Sequence, residues 1–215
     1  MTPSNTSRLR LAGWLIIASL IVLIVSVVAF GSVAVRTPEF NQLETVAQVA
    51  EYAAQRGTNW VALNLGLLLG AGLTYAGLIL IAACLMSTKA RIWVIVGLIS
   101  LIGSLALFIF STYLLIGLAA GPSNLPPLVA IQTVSKDRAV IGTIYEHISG
   151  LLATLGLAFV GIGLFVSRQL KRTGLIVAIL ALVLTVIGVF FGAVPGPIVI
   201  LSLPIAIGLI RLKGA

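Results

Sequence analysis

Between Leu11 and Val35 this chain runs 25 residues without one charged side chain. Four further stretches of comparable or greater apolar length follow it. Crossing the roughly 30 Å hydrocarbon core of a bilayer takes about 20 apolar residues in a helix. Backbone N–H and C=O groups find no water there, so a spanning segment must satisfy them internally, as a helix does. Charges mark where spans end, and they leave spans at 11–35, 60–86, 92–118, 139–166, 174–193 and 195–210. The last two come from the 38 uncharged residues of 173–210, divided by the turn Val194-Pro195-Gly196-Pro197. Proline lacks a donor and glycine permits the reversal. The sixth span is short and carries Pro204, which predicts a kink.

Composition agrees. Hydrophobic residues make up 60% of the 215 and charged ones 8%, against about 25% charged in an ordinary soluble domain. That excludes a soluble enzyme, a disordered chain and a disulfide scaffold. The apolar run after Arg8 and Arg10 is longer than the roughly 7–15 residues of a cleavable signal, so it reads as an uncleaved anchor. The net charge of +8 invites a nucleic-acid reading. The basic residues form no stripe and are not interleaved with aromatics, so no nucleic-acid partner is expected.

Charge orients the spans. With the N-terminus in the cytoplasm, Arg8, Arg10, Lys89, Arg91, Arg168, Lys171, Arg172, Arg211 and Lys213 lie inside, which is 9 of the 13 basic residues. Arg36, Arg56, Lys136 and Arg138 lie outside, and all five acids fall on or near the outer side. Lysine and arginine in short loops favour the cytoplasm. The expected fold is therefore all-α: one integral domain over 1–215, a six-helix bundle of the cell membrane with both termini cytoplasmic.

Two outer loops carry their own signals. Thr37-Pro38-Glu39 reads as a cap, a first-turn proline and a first-turn acid. Apolar residues then recur at helical spacing from Phe40 to Ala54, and Arg56-Gly57 is a stop. An amphipathic helix over 38–56 on the outer surface is expected. The second loop, Gly121 to Pro127, cannot be regular helix.

Small residues stripe the central spans. Gly66, Gly70 and Gly77 share a face of span two, and Ser100, Ser104 and Ser111 repeat the spacing in span three. In span four, Gly142, Ser149, Gly156 and Gly163 recur every seven residues. Small residues let helix backbones approach closely in lipid. Packing is the expected role; a lined substrate path is the alternative.

The ionisable cluster near a span is Tyr145-Glu146-His147. An acid within a membrane is a functional candidate by default. Counting back about 20 residues from Val166 puts the outer boundary near His147, so Glu146 is either an interfacial ion-pair partner or an ion or proton site. Asn64, Thr74 and Tyr75 are the polar residues of span two that would accompany it. One histidine and one cysteine fall short of the three or four ligands of a zinc site, and haem lacks a second axial ligand. No metal, cofactor or catalytic residue is assigned. Cys84 near the inner end of span two is a packing residue or an acylation site. Trp14 and Trp93 at the inner boundary, with Trp60 and Tyr113 at the outer one, fit interfacial belts.

The reading is a non-catalytic integral subunit that packs in the bilayer against other membrane proteins or itself. A small transporter or channel using Glu146 is the first alternative, and a lipid-phase enzyme pairing Glu146 with His147 the second.

Overall fold

A computed structural model describes residues 3–34, 46–121, 123, 140–191 and 198–212 of the chain. All of its regular structure is helical: α1 Pro3–Ala34, α2 Val46–Leu85, α3 Arg91–Gly117, a 3₁₀ turn Leu118–Ala120, α4 Val140–Val166, α5 Lys171–Phe191 and α6 Ile198–Ile210. Among the described residues, five helices are long and apolar enough to cross a membrane. The sixth, α6, has 13 residues, about 20 Å at 1.5 Å per residue.

Helix boundaries differ in places from those read off the sequence; α5, for one, starts at Lys171 rather than at 174. Helix α1 starts at Pro3 rather than Leu11. The charges of Arg8 and Arg10 end the apolar run but not the helix, because helical backbone tolerates exposed arginines. The described part of the outer stretch and span two are two helical segments that follow one another directly and are numbered together as α2, with a break at Gly57. Its φ of 28° and ψ of −102° lie outside the helical region, which a residue without Cβ adopts at least cost. The break falls where Arg56-Gly57 was expected to end the outer helix, as a kink without an intervening loop. The beginning of the expected 38–56 helix lies outside the described residues. Helix α6 is described over 198–210; residues 195–197 of the expected 195–210 lie outside the described residues, and the helix continues across Pro204.

Two compact units divide the chain. The first comprises Met1–Ile21, Gly70–Ala106 and His147–Ala215; the second comprises Val22–Leu69 and Leu107–Glu146. In the first, Leu9 and Ile16 of α1 are fully buried, as are Leu78, Ile81 and Leu85 of α2. Leu101 of α3, Leu157 and Leu164 of α4, and Ile205 and Leu209 of α6 complete that core. Lipid is as apolar as leucine, so such contacts hold a bundle by close packing rather than by escape from water. Each atom pair gives only about 0.1–0.2 kcal/mol, and fit decides the sum. In the second unit, Ala50, Tyr52, Ala53, Trp60 and Leu63 of α2 pack with Leu114 of α3 and Leu118 of the 3₁₀ turn.

The tight turns of the first unit have identifiable causes. Between α2 and α3, the Thr88 hydroxyl donates to the Leu85 carbonyl at 2.6 Å and accepts from the Ala90 N–H at 3.2 Å. Between α4 and α5, Arg168 adopts φ 62°. Its N–H donates to Phe165 O and that of Gln169 to Leu164 O. This is the left-handed helix stop that glycine usually makes.

Candidate functional site

The polar interior of the first unit is a set of hydroxyl contacts between helices. Ser104 Oγ of α3 donates to the Ser149 carbonyl of α4 at 2.6 Å, and Ser149 Oγ returns a bond to the Ser104 carbonyl at 2.9 Å. Each serine has one proton, and each gives it across the helix pair. Tyr75 OH of α2, 2.5 Å from Ser104 Oγ, must then be the donor of that contact. Beside it on α2, Thr74 Oγ1 lies 2.5 Å from Ser19 Oγ of α1. Further along α4, Thr185 Oγ1 of α5 donates to Thr154 Oγ1 at 2.8 Å. Hydroxyls thus join α1 to α2, α2 to α3, α3 to α4 and α4 to α5.

Close backbone approach accompanies these bonds. A Cβ on Gly156 would meet Leu101 Cγ at 2.7 Å and the Gly97 carbonyl oxygen at 3.1 Å; one on Gly163 would meet Val94 at 2.8 Å. Three of the four small residues expected on α4, namely Ser149, Gly156 and Gly163, therefore face α3 or the α2–α3 turn. Gly77 is pressed against Ala12 and Ile16 of α1, and Gly70 is buried. Ser100 is different: its hydroxyl donates to Val96 O within its own helix.

Among the described glycines, the tightest approach to a neighbouring backbone lies outside the expected stripes. A Cβ on Gly161 would stand 2.8 Å from the Gly174 carbonyl oxygen, and one on Gly174 would stand 2.7 Å from that of Gly161. The signal was present on α5 as Gly174, Ala178, Ala181, Thr185 and Gly188, alternating steps of four and three. That is small-residue spacing for one helix face. Gly13 of α1 plays the same part against Ala206 of α6.

In the second unit the polar groups are placed differently. Trp60, expected in an interfacial belt, is 4% exposed. Its indole N–H donates to Leu115 O at 2.7 Å, so the ring serves as a core anchor of α2 on α3. Asn64 is buried and its Nδ2 donates to Trp60 O at 2.9 Å, one turn back in its own helix. Gly66 packs directly on Ser26 of α1. Ser111 Oγ is buried and has no hydrogen-bond partner among the described residues. The Arg56 guanidinium lies 3.3 Å over the Tyr52 ring centroid. Cys84, in the first unit, is buried as a free thiol. The side chains of Gly142, Tyr145, Glu146 and His147 lie outside the described residues, although α4 passes through all four positions.

Among the described residues, no group of three or more histidine, cysteine, aspartate or glutamate side chains is placed to hold a metal. No protein family, characterised protein or solved structure matches the chain.

Proposed function

We propose that this chain is a non-catalytic multi-pass subunit of the cell membrane, packing laterally against partner membrane proteins or a second copy of itself. The observation that carries the reading is the use of the interior hydroxyls of the first unit. Ser104 and Ser149 spend their protons on each other's helix and Tyr75 spends its own on Ser104. Groups committed in this way hold helices together and leave little capacity for a solute. The outward faces are apolar: Ile92 and Ile99 of α3 and Val189 and Phe190 of α5 are exposed, suited to lipid or to a partner's helices.

A six-crossing bundle with both termini cytoplasmic is part of the proposal. It is supported by Arg10 near the start of α1, whose Nε donates to the Leu212 carbonyl just past α6 at 2.9 Å. Ends that meet in this way have an even number of crossings between them. Helix α6 is then the sixth, and the bilayer thins around its shorter length at a cost of fractions of a kcal/mol per Å. The stretch 46–56 belongs to the outer interface in this arrangement.

Mild extraction from the native membrane, followed by mass measurement of the intact species, tests the reading. A stoichiometric complex or a homodimer is expected. A monodisperse monomer contradicts it. The transporter alternative is favoured by the buried hydroxyl of Ser111, two helical turns from Ser104 on α3, which has no hydrogen-bond partner among the described residues. In that reading Ser111→Ala and Glu146→Gln abolish solute flux in vesicles, whereas in the subunit reading neither variant disturbs assembly.

A further inference from the structure

The first unit contains nine of the thirteen basic residues and none of the five acids. The eight of these bases whose side chains are described are all exposed. They occupy the start of α1, the α2–α3 turn, the α4–α5 turn and the end of α6, and contacts within the unit draw those four places together. Arg10 reaches Leu212. Gly208 of α6 sits against Leu170 of the α4–α5 turn, and Gly163, one turn before that turn, sits near Ala90 of the α2–α3 turn. One end of the first unit is therefore a cationic collar with no acid in its own sequence to neutralise it.

We propose that this collar binds anionic phospholipid headgroups directly. The chemistry is charge complementarity: phosphodiesters are monoanions, and clusters of arginine and lysine at a membrane surface attract them. Arginine also chelates phosphate oxygens through paired N–H donors. The densest part is the α4–α5 turn with the start of α5, where Arg168, Lys171 and Arg172 stand within five residues. Arg168 occupies a left-handed position where glycine is usual, so a charged side chain is held at a point the backbone disfavours. Trp14 and Trp93 are exposed, one turn from Arg10 and two residues from Arg91. This proposal goes beyond the subunit reading and holds whichever leaflet the collar occupies. A role for the bases in setting orientation acts during insertion and requires no lasting preference for one lipid class.

Those tryptophans supply the readout. The full chain is reconstituted in vesicles of brominated phosphatidylcholine, which quenches them, and unbrominated phosphatidylglycerol is titrated in. Recovery of fluorescence is expected well ahead of simple dilution, and 1 M salt, with its Debye length of about 3 Å, returns it toward dilution. The variant Arg168→Gln/Lys171→Gln/Arg172→Gln loses selectivity by about fivefold per charge removed, the equivalent of about 1 kcal/mol for each base. Lys89→Gln/Arg91→Gln, a second variant, loses it in proportion should the first not fold. Lys136→Gln/Arg138→Gln, outside the first unit, keeps it. Recovery that tracks dilution for the native chain overturns the proposal. So does an equal loss in the Lys136/Arg138 variant, which would assign the effect to net charge. Displacement of the lipid by inorganic phosphate at fixed ionic strength also overturns it, by making the site one for the free anion.

Discussion

Ser104 is the residue on which most of the described polar interior turns, because it accepts from Tyr75 and donates to Ser149. Its replacement and Tyr75's are not equivalent. Tyr75→Phe removes a donor and leaves one serine lone pair empty, a loss near the roughly 0.6 kcal/mol average for hydrogen bonds inside membrane proteins. Ser104→Ala strands the Tyr75 hydroxyl and unbinds Ser149 O, and an orphaned buried polar group costs about 1–3 kcal/mol. Reversible unfolding in mixed micelles should rank Ser104→Ala as the more destabilising; the reverse order would contradict the proton assignment. Trp60 shows where residue-level reading from sequence runs out. Its place near a span boundary looked interfacial, but burial on Leu114 and Leu118 depends on α3 returning beside it. No local pattern encodes that return.

Glycine separates into two kinds at the level of the helix. A methyl group added at Gly72 of α2 would meet nothing within 4 Å, so Gly72→Ala should stabilise by up to about 1 kcal/mol through helix propensity alone. Gly161 faces the Gly174 carbonyl, and Gly161→Val should wedge α4 from α5 at a cost of about 1–3 kcal/mol. Melting of the two variants in detergent checks the contrast, and equal effects would remove the case for a tight α4–α5 seam. A third element-scale test concerns the α4–α5 stop. Arg168→Gly relieves a left-handed torsion worth about 1–2 kcal/mol to a residue with Cβ, so the melting midpoint should rise, while Arg168→Gln, keeping the strain, should not raise it. Helix positions were largely legible from sequence, because charges in an apolar chain mark ends. The Ser149, Gly156 and Gly163 face was legible because a seven-residue step recurs. The direct join of the outer stretch to span two, with no loop between them, was not. A single glycine can be a stop, a kink or a hinge, and packing around Trp60 and Tyr52 decides which. The α5 stripe was hidden among leucines and valines that share its apolarity.

For the whole molecule, charge is the ordering quantity. Every acid belongs to the second unit and most bases to the first. The uneven placement of acids and bases along the chain was readable in the sequence; its division between these two units was not. Nor was the meeting of α1 with α6, because Arg10 and Leu212 are separated by 202 positions. The same meeting makes a whole-molecule claim about sidedness that one measurement can decide. In a Cys84→Ser background, Ser4→Cys, Gly214→Cys and Ser123→Cys are each exposed to a membrane-impermeant thiol reagent in sealed vesicles of known orientation. The account predicts that Ser4→Cys and Gly214→Cys react from the cytoplasmic side and Ser123→Cys from the other. Reaction of the two terminal cysteines from opposite sides would contradict it.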